Sequence, residues 1–422
     1  MKLFTPSTGA PSALTITLWD FSWYVRTGPG EPFEDLDAAF AQAVERGYNT
    51  VRICAMPFLL FGSGLDTTAL ELGPLGGGYG RATRWYDVAG STTIDARAHL
   101  LELFRAARRH DVRIIASSWE FQQSPVFAAD RAWFDTLAAV PPEDRPMRLA
   151  EAHADLVDLL VAEGLDDVLV FTELHNEVQI GHLTEGLAGS GADVVVALRE
   201  RLEPAVDLFH DRHPGRLCSV NYGAVPVAAM RGIPENIDVL VVHPYVYGVL
   251  DDFVHQFGLR GPVEDFDDER ARELLRPDAP GIAAWSVPAA AAWREQASIM
   301  CRPEVYVHDW CDPARVDAWL DERYPPHHLA MRQKLTLWMD VAADWAAAHG
   351  AGLVFGEGWV GYTPRDCTFE EGPRGAELCR FAALESKRVG AWGTVVCSNA
   401  APQHPMWHDV ALQRECNGLF TT

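Results

Sequence analysis

The chain has 422 residues, of which 48% are hydrophobic and 22% charged, a composition typical of a globular protein and not of a disordered or fibrous one. Its length suits one large α/β barrel as well as two or three average domains. A formal net charge of −24 would repel nucleic acids and anionic membranes, so neither is expected as a partner.

Short apolar runs alternate along the chain with longer segments of helical period, which is the pattern of repeated βα units. The predicted strands are 14–19, 49–54, 112–117, 167–172, 216–220, 238–242, 351–356 and 391–397. The predicted helices are 35–46, 93–110, 148–163, 191–213, 327–349 and 374–388, with a short one near 224–231. Eight such units predict a (β/α)8 TIM barrel, in which Thr93 caps the second helix.

Two stretches exceed what a bare barrel needs. Residues 56–92 are rich in Gly and Pro, and 248–326 form a long insertion after the sixth strand. Both follow strand carboxyl ends, the active face of a barrel, and long loops in compact domains are usually functional or mobile. We therefore predict one catalytic barrel domain over 1–422, with 248–326 as a lid or subsite wall; a solvent-exposed decoration is the alternative.

The location is expected to be cytoplasmic. The first 17 residues lack an apolar stretch suited to a signal peptide, and no apolar run reaches the length of a membrane span. The eight cysteines form no C-x-x-C pair, and Cys54, Cys218 and Cys397 sit in apolar runs as expected of small core residues. A reducing compartment fits this usage.

Two glutamates follow apolar runs that are predicted to be strands. Glu177 lies in "VLVFTELHNEV" (168–178) and Glu357 in "AGLVFGEGWVG" (351–361). A parallel barrel brings the carboxyl ends of its strands to one rim, and two carboxyl groups that meet there can cleave a glycosidic bond. Either glutamate alone could simply cap a loop or a helix. The prediction therefore depends on finding both, on the fourth and seventh strands.

Further polar residues lie on or after the strands. Arg52, inside the second strand, is predicted to reach inward and pair with Glu357; a surface-facing Arg is the alternative. Asn176 could hydrogen-bond the 2-hydroxyl of a sugar. Tyr245 could donate to a carboxylate nucleophile, and His243 could bind a sugar hydroxyl or the acid, or could be structural.

Tryptophans near strand ends could stack on sugar rings, because an indole offers a broad apolar face. We expect only two or three to do so, since most aromatic residues belong to the core. The candidates are Trp19 and, as predicted substrate-binding residues, Trp23, Trp119, Trp310 and Trp359.

Four segments together resemble the clan A glycoside hydrolases, and within them the cellulase-type enzymes of glycoside hydrolase family 5. They are "GYNTVRI" (47–53), "ELHNEV" (173–178), "VVHPYVYG" (241–248) and "VFGEGW" (354–359). The resemblance implies a (β/α)8 barrel and hydrolysis with retention, without an obligatory metal or organic cofactor. It also implies Glu177 as acid/base and Glu357 as nucleophile, supported by Arg52, Asn176, His243 and Tyr245.

The chain departs from the family pattern at three places. Val178 stands where the cellulase type usually has Pro, and the third strand ends in "SSWEF" (117–121). The eighth strand has Trp392 near its start, and Cys397, Ser398 and Asn399 at its end, where the family keeps a Trp. These changes leave the sugar open, and they also allow a non-catalytic sugar-binding barrel.

A metal-dependent barrel hydrolase is a third possibility. It would use His175, His243, His308 and Asp309. These residues lack a close H-x-H spacing, and the first strand, "TITLWDF", contains no His. The retaining glycoside hydrolase, acting on a small β-linked glycoside or oligosaccharide, is therefore the leading hypothesis.

Overall fold

The structure is a computed structural model that describes residues 4–6, 9–72, 80, 82, 92–119, 130, 132–187, 194–287, 289 and 300–422. Some of the sequence predictions fall on residues outside these ranges. Most of the Gly-rich run within 56–92, together with Glu120 and Phe121 at the end of the third strand, lies outside the described residues.

Eight parallel strands close into a barrel, which confirms the predicted (β/α)8 fold. The strands are β1 (Leu14–Asp20), β2 (Thr50–Cys54), β3 (Arg113–Ser117), β4 (Leu169–Glu173), β5 (Cys218–Tyr222), β6 (Val239–Val242), β7 (Gly352–Phe355) and β8 (Gly393–Val395). Each strand pairs with its neighbours in sequence order, and β8 pairs with β1 to close the barrel. Every predicted strand is present, with its ends within two residues of the prediction.

Helices of three or more turns surround the barrel. They are Leu36–Glu45, Ala96–Arg109, Arg145–Ala162, Val194–Arg212, Pro313–Arg323, Pro325–His349, Pro373–Arg388 and Val410–Thr421. Shorter α-helices are Ser22–Val25, Ala132–Ala138, Val249–Gln256, Asp268–Ala271 and Arg302–Trp310. Single turns of other helix types are Phe58–Gly62, His182–Thr184, Val227–Gly232, Val263–Asp265 and Pro405–His408.

The predicted start of the second helix is wrong. Thr92–Ile94 is a short strand, antiparallel to Leu70–Leu72, because its β-branched residues favour extended backbone. Asp95 is the actual N-cap, and its side chain accepts a hydrogen bond from the backbone N–H of Ala98.

The barrel strands are buried on both faces, which explains why they read as continuous apolar runs. Two charged residues interrupt these apolar runs, namely Arg52 in β2 and Glu173 in β4, and both are fully buried. Cys54, Cys218 and Cys397 are buried as predicted, and all eight cysteines carry free thiols. Within the described residues, no helix is both long and apolar enough to cross a membrane.

The insertion after β6 is largely helical where it is described. It contributes Val249–Gln256, Asp268–Ala271, Arg302–Trp310 and Pro313–Arg323. None of its described residues lines the central cavity presented below. Its function as a lid or subsite wall, like the single-domain organisation of 1–422, stays a prediction.

Candidate active site

The barrel places the two predicted catalytic glutamates at one rim. Glu357 lies two residues beyond β7, and Glu177 lies four residues beyond β4. The segment after β4 stays attached to its neighbours, since the N–H of Asn176 donates to Ser118 O at 2.7 Å and that of Val178 to Asn221 O at 3.0 Å. Glu177 itself has a φ of +48°, in the left-handed region that non-glycine residues rarely adopt.

The carboxyl groups of Glu177 and Glu357 approach each other closely. One oxygen of each and one ring nitrogen of His243 all lie within 4.8 Å of one another. Nδ1 of His243 is 2.9 Å from Oε1 of Glu177 and 3.6 Å from Oε1 of Glu357. The three side chains therefore face the same small volume, and a sugar bound there would contact both carboxyl groups.

Arg52 connects the carboxyl groups below this volume. Its Nη1 donates to Oε1 of Glu357 at 2.8 Å, which is the contact that the sequence predicted. Its Nε and Nη2 bind the carboxylate of Glu173 at 2.7–3.0 Å, and Nη2 also donates to Oδ1 of Asn176 at 2.8 Å. The guanidinium lies 4.5 Å from the ring centroid of Trp119, which completes its enclosure.

Glu173 is a site residue that the sequence prediction missed. It is fully buried, and it accepts from Arg52 and from Nδ2 of Asn221 at 2.6 Å. Burial alone would raise the pKa of Glu173, but the charge and hydrogen bonds of Arg52 lower it, so Glu173 is ionised. The signal was a charged residue inside an apolar strand, the same signal that singled out Arg52.

Asn221, also missed, links Glu173 to the segment that carries Glu177. Its Oδ1 accepts from the backbone N–H of Glu177 at 2.5 Å, while its Nδ2 holds Glu173. A polar residue inside the β5 run "CSVNY" was the available signal. This side chain therefore supports the left-handed backbone that turns Glu177 towards Glu357.

The second oxygen of Glu357 is held by a tyrosine. The hydroxyl of Tyr245 donates to Oε2 of Glu357 at 2.9 Å, and it accepts from the hydroxyl of Tyr362 at 3.1 Å. Burial and the charge of Glu357 raise the pKa of Tyr245 well above its usual value, so the donor keeps its proton. Both oxygens of Glu357 thus accept hydrogen bonds, from Arg52 and Tyr245, which fix the orientation of its carboxyl group.

Ser398 supports this arrangement from the end of β8. Its Oγ lies 2.7 Å from the hydroxyl of Tyr245 and accepts from the N–H of Gly358 at 3.1 Å. Because the single proton of Tyr245 goes to Glu357, the hydroxyl of Ser398 donates to Tyr245. Ser398 belongs to the strand end of Cys397, Ser398 and Asn399 that departs from the pattern of the resembled family. By contrast, Trp392 is buried before β8 and packs against Phe4.

Glu177 has a different environment from Glu357. Its side chain is 18% exposed, and burial raises its pKa to about 7, against the opposing effect of Arg52. Burial lowers the pKa of His243 to about 4, so the imidazole is neutral at neutral pH. Its Nε2 has no hydrogen-bond partner among the described residues, which favours the tautomer with the proton on Nδ1, directed at Glu177.

A cavity of about 440 Å³, including its open mouth, contains these groups. Its lining is mostly polar or aromatic and comprises Leu18, Asp20, Phe21, Trp119, Asn176, Glu177, Tyr245, Glu357, Tyr362, Ser398, Asn399 and His404. Asp20 was missed by the sequence prediction, although it follows an apolar run as Glu177 and Glu357 do.

Of the tryptophans predicted to bind sugar, Trp119 alone lines this cavity. Trp23 and Trp359 are fully buried, and we therefore correct their predicted stacking function. Trp23 stacks on His99 and donates to Cys54 O at 2.9 Å, while the indole of Trp359 donates to Val396 O. Their rings complete the core, an outcome that the sequence could not distinguish from stacking on a sugar.

Trp19 and Trp310 also lie away from the cavity lining. Trp19 is fully buried between Phe33 and Phe40. Trp310 is half-buried, with the guanidinium of Arg276 at 4.9 Å from its ring centroid. Its predicted contact with substrate finds no support in this arrangement.

The residues of the metal-site alternative are not brought together. Among the described residues, Glu177, His243 and Glu357 are the one group of three whose ligand atoms lie close enough for a metal ion. Of the four predicted metal ligands, this group contains only His243, and Nδ1 of His243 already contacts Glu177. His175 instead lies 3.3 Å from His182, and Asp309 accepts from the backbone N–H of Gly80.

Comparisons with known proteins agree with this fold. A family model described as "Cellulase-like: Sugar-binding cellulase-like" matches residues 16–132, which include β1 to β3 and end before both glutamates. No match was found among curated proteins.

Two solved structures are similar over nearly the whole chain. A presumptive glycoside hydrolase from Parabacteroides distasonis ATCC 8503 aligns with a TM-score of 0.67 at 18% identity, over 97% of this chain and 94% of that one. A glycoside hydrolase family 5 mannosidase from Rhizomucor miehei aligns with a TM-score of 0.51 at 13% identity, over 99% of this chain and 97% of that one. At such identities the likeness establishes the fold, which is the (β/α)8 barrel found in glycoside hydrolases.

The resemblance read from the sequence motifs is thereby confirmed. Over residues 16–132 the chain is similar to sugar-binding cellulase-like proteins, and it shares the barrel fold of a glycoside hydrolase family 5 mannosidase. These matches do not identify the substrate or ligand of this chain.

Replacing Glu173 by Gln tests whether Arg52 needs its second carboxylate. The isosteric variant leaves a buried guanidinium partly uncompensated, so we expect a loss of about 3–5 kcal/mol in the free energy of unfolding, measured by chemical denaturation. The variant Glu304→Gln is the matched control. Glu304 is buried near Arg260, but burial raises its pKa and Arg260 is 46% exposed, so the expected loss is below about 1 kcal/mol. Equal losses in the two variants would contradict this account of Arg52.

Proposed function

We propose that the protein is a retaining glycoside hydrolase that cleaves a β-linked glycoside or small oligosaccharide by double displacement. The observation that carries the proposal is the close pair of Glu177 and Glu357, with oxygens within 4.8 Å of each other. Retaining enzymes place their carboxyl groups about 5–5.5 Å apart, whereas inverting enzymes need about 6.5–9.5 Å to admit a water molecule. The pair supports retention.

The first step forms a covalent intermediate. The ionised carboxylate of Glu357 attacks the anomeric carbon as the bond to the leaving oxygen breaks, and that oxygen takes the proton of Glu177. The sugar is then esterified to Glu357. Arg52 and Tyr245 orient the attacking carboxylate, and the amide of Asn176, whose oxygen is held by Arg52, can present its NH₂ group to the 2-hydroxyl.

The second step releases the sugar. Glu177, now a carboxylate, removes a proton from water as that water attacks the anomeric carbon, and the bond to Glu357 breaks with its electron pair returning to the carboxylate. The two displacements restore the starting configuration. The raised pKa of Glu177 suits both steps, because a group with a pKa of about 7 donates and accepts a proton readily near neutral pH.

A sugar-binding barrel without turnover is the second candidate. The description of the matching family model, which names sugar binding, favours it. The environment of Glu177 and its closeness to Glu357 argue for turnover, since burial raises the pKa of Glu177 to about 7 and thereby lets it hold the proton that a leaving group needs. Calorimetry that detects oligosaccharide binding, with no product after days of incubation, would favour the binding protein. The cytoplasmic location and the preference for small glycosides stay predictions.

Azide rescue tests the two assigned functions separately. We expect Glu357→Gly to lose hydrolysis of aryl β-glycosides and to regain turnover with azide, which fills the vacated space and yields the α-glycosyl azide. The variant Glu177→Ala should lose about 10²–10⁴-fold with leaving groups that need protonation and should give the β-glycosyl azide. Nuclear magnetic resonance of the products reads the configuration. A β-azide from Glu357→Gly, or an inverted wild-type product, would refute the assignment.

The pH dependence of kcat/KM provides a further test. Glu177 must be protonated in the first step, so kcat/KM should fall as pH rises through about 7. The fall should be much weaker for a dinitrophenyl glycoside, whose leaving group needs no proton. Burial also raises the pKa of Asp20 to about 7, so Asp20→Asn is the control. If that variant removes the fall, the titrating group is Asp20 and the assignment of Glu177 fails.

A further inference from the structure

Asp20 is a buried carboxyl group in the cavity that the two-step reaction does not use. It is the last residue of β1, its exposed fraction is 3%, and it lines the same cavity as Glu177 and Glu357. The charge of Glu357 also contributes to raising the pKa of Asp20, after burial, which indicates that the two groups are close. A buried carboxyl needs a reason to be retained, because its desolvation is costly.

The backbone of β1 is distorted where it turns Asp20 towards the cavity. The register between β1 and β2 shifts between Leu18 and Asp20, as in a β-bulge, and Asp20 has a φ of +46°. Of the four described non-glycine residues with positive φ, two line the cavity, namely Asp20 and Glu177. Bulges and left-handed residues recur at functional sites, where they re-aim a side chain at some cost in strain.

Asp20 retains hydrogen-bonding capacity within the described structure. Its Oδ1 accepts from the backbone N–H of Ser22 at 2.6 Å, which is a strong bond. Its Oδ2 has a long contact of 3.4 Å with Nε2 of Gln403. The hydroxyl of Ser22 and the backbone of Phe21 also hydrogen-bond this carboxyl group. Since a carboxylate offers about four lone-pair positions and the Gln403 contact is long, Oδ2 can still accept a hydroxyl hydrogen from a ligand.

The topology assigns this side of the cavity to one part of the substrate. Glu177, which follows β4, has to lie beside the leaving oxygen, and Asn176 next to it faces the 2-hydroxyl, so the 3-, 4- and 6-hydroxyls of the attacked ring, on carbons remote from the anomeric centre, lie on the side away from β4. β1 lies three strands from β4 in the barrel order, next to β8. Asn399 and His404, which follow β8, line the cavity as Asp20 does. Hydroxyl-binding groups are therefore concentrated on the wall formed by β8 and β1.

We propose that Asp20 is a specificity-determining residue that accepts hydrogen bonds from the 3-, 4- or 6-hydroxyl of the sugar whose anomeric carbon is attacked, with Asn399 and His404 beside it. This inference rests on the proposed function, since it identifies which sugar hydroxyls the same site recognises. It locates recognition of the sugar on the β8–β1 wall and separates it from the acid at β4.

The alternative is that Asp20 merely caps the short helix Ser22–Val25 through its bond to the N–H of Ser22. Asn at this position keeps an acceptor oxygen for that bond and removes the charge, and Ser does the same with a smaller side chain. The variants Asp20→Asn and Asp20→Ser therefore separate the two explanations. Asp35→Asn is the matched control, since Asp35 accepts from the N–H of Ala38 at a helix start outside the cavity.

The experiment compares kcat/KM for an aryl β-glycoside with its 2-, 3-, 4- and 6-deoxy analogues. In the wild type and in Asp35→Asn, at a pH above about 7 where Asp20 is ionised, loss of the recognised hydroxyl should lower kcat/KM by about 10–100-fold, as expected for a hydrogen bond to a charged group. In Asp20→Asn and Asp20→Ser, kcat/KM for the parent substrate should fall by a similar factor. Removing the recognised hydroxyl should then lower kcat/KM by less than about threefold further. The penalty for the 2-deoxy analogue should stay unchanged in all four proteins.

The outcomes distinguish this inference from the proposed function. If the wild type hydrolyses the glycosides and all deoxy penalties persist in both Asp20 variants, the inference is wrong while the hydrolase proposal stands. If the wild type hydrolyses none, calorimetry with glucose, mannose, galactose and their deoxy forms replaces the rates. If removal of the recognised hydroxyl then weakens binding, measured as Kd, in the wild type but hardly in the Asp20 variants, Asp20 recognises that hydroxyl in a protein without turnover. Absence of binding to every sugar would overturn both proposals.

Discussion

One buried cation organises the candidate site. Arg52 has no exposed surface, and its guanidinium binds Glu173, Glu357 and Asn176 while lying against Trp119. Its charge is compensated mainly by Glu173 below the cavity, so the carboxyl group of Glu357 can bind Arg52 with one oxygen and still face the substrate. Such an ion-pair network adds little to stability compared with an apolar core, because desolvation offsets the attraction. Its value lies in fixing the positions of the carboxylate and the amide.

The barrel gives the two glutamates opposite tendencies although they lie close together. Glu357 receives donors from Arg52 and Tyr245, whereas Glu177 faces neutral His243 and has a pKa raised by burial. A carboxyl group whose pKa is raised by burial, close to a second one held by hydrogen-bond donors, is typical of an acid beside a nucleophile. The different partners of the two glutamates therefore follow from the positions of their strand ends in the barrel. The side chains that reach them come from β2 and from the segments after β6 and β8.

Much of this could be predicted from the sequence, because barrel strands are continuous apolar runs and their carboxyl ends share a rim. The same rule would have found Asp20, which ends the first such run. The sequence indicated that Arg52 needs a partner, but the dominant partner, Glu173, depends on how the barrel closes. Trp23 and Trp359 could not be assigned, since the direction of a ring after a strand end depends on local backbone that no apolar pattern encodes.

The central claim is that Glu357 forms a covalent bond to the sugar. A 2-deoxy-2-fluoro β-glycoside with a dinitrophenyl leaving group tests it directly, because the fluorine slows both displacements while the good leaving group keeps the first one possible. Mass spectrometry of the wild type should show one fluorosugar per chain, on the peptide that contains Glu357, with no label in Glu357→Gln. A label on another residue, or turnover that inverts configuration and leaves no adduct, would contradict the account.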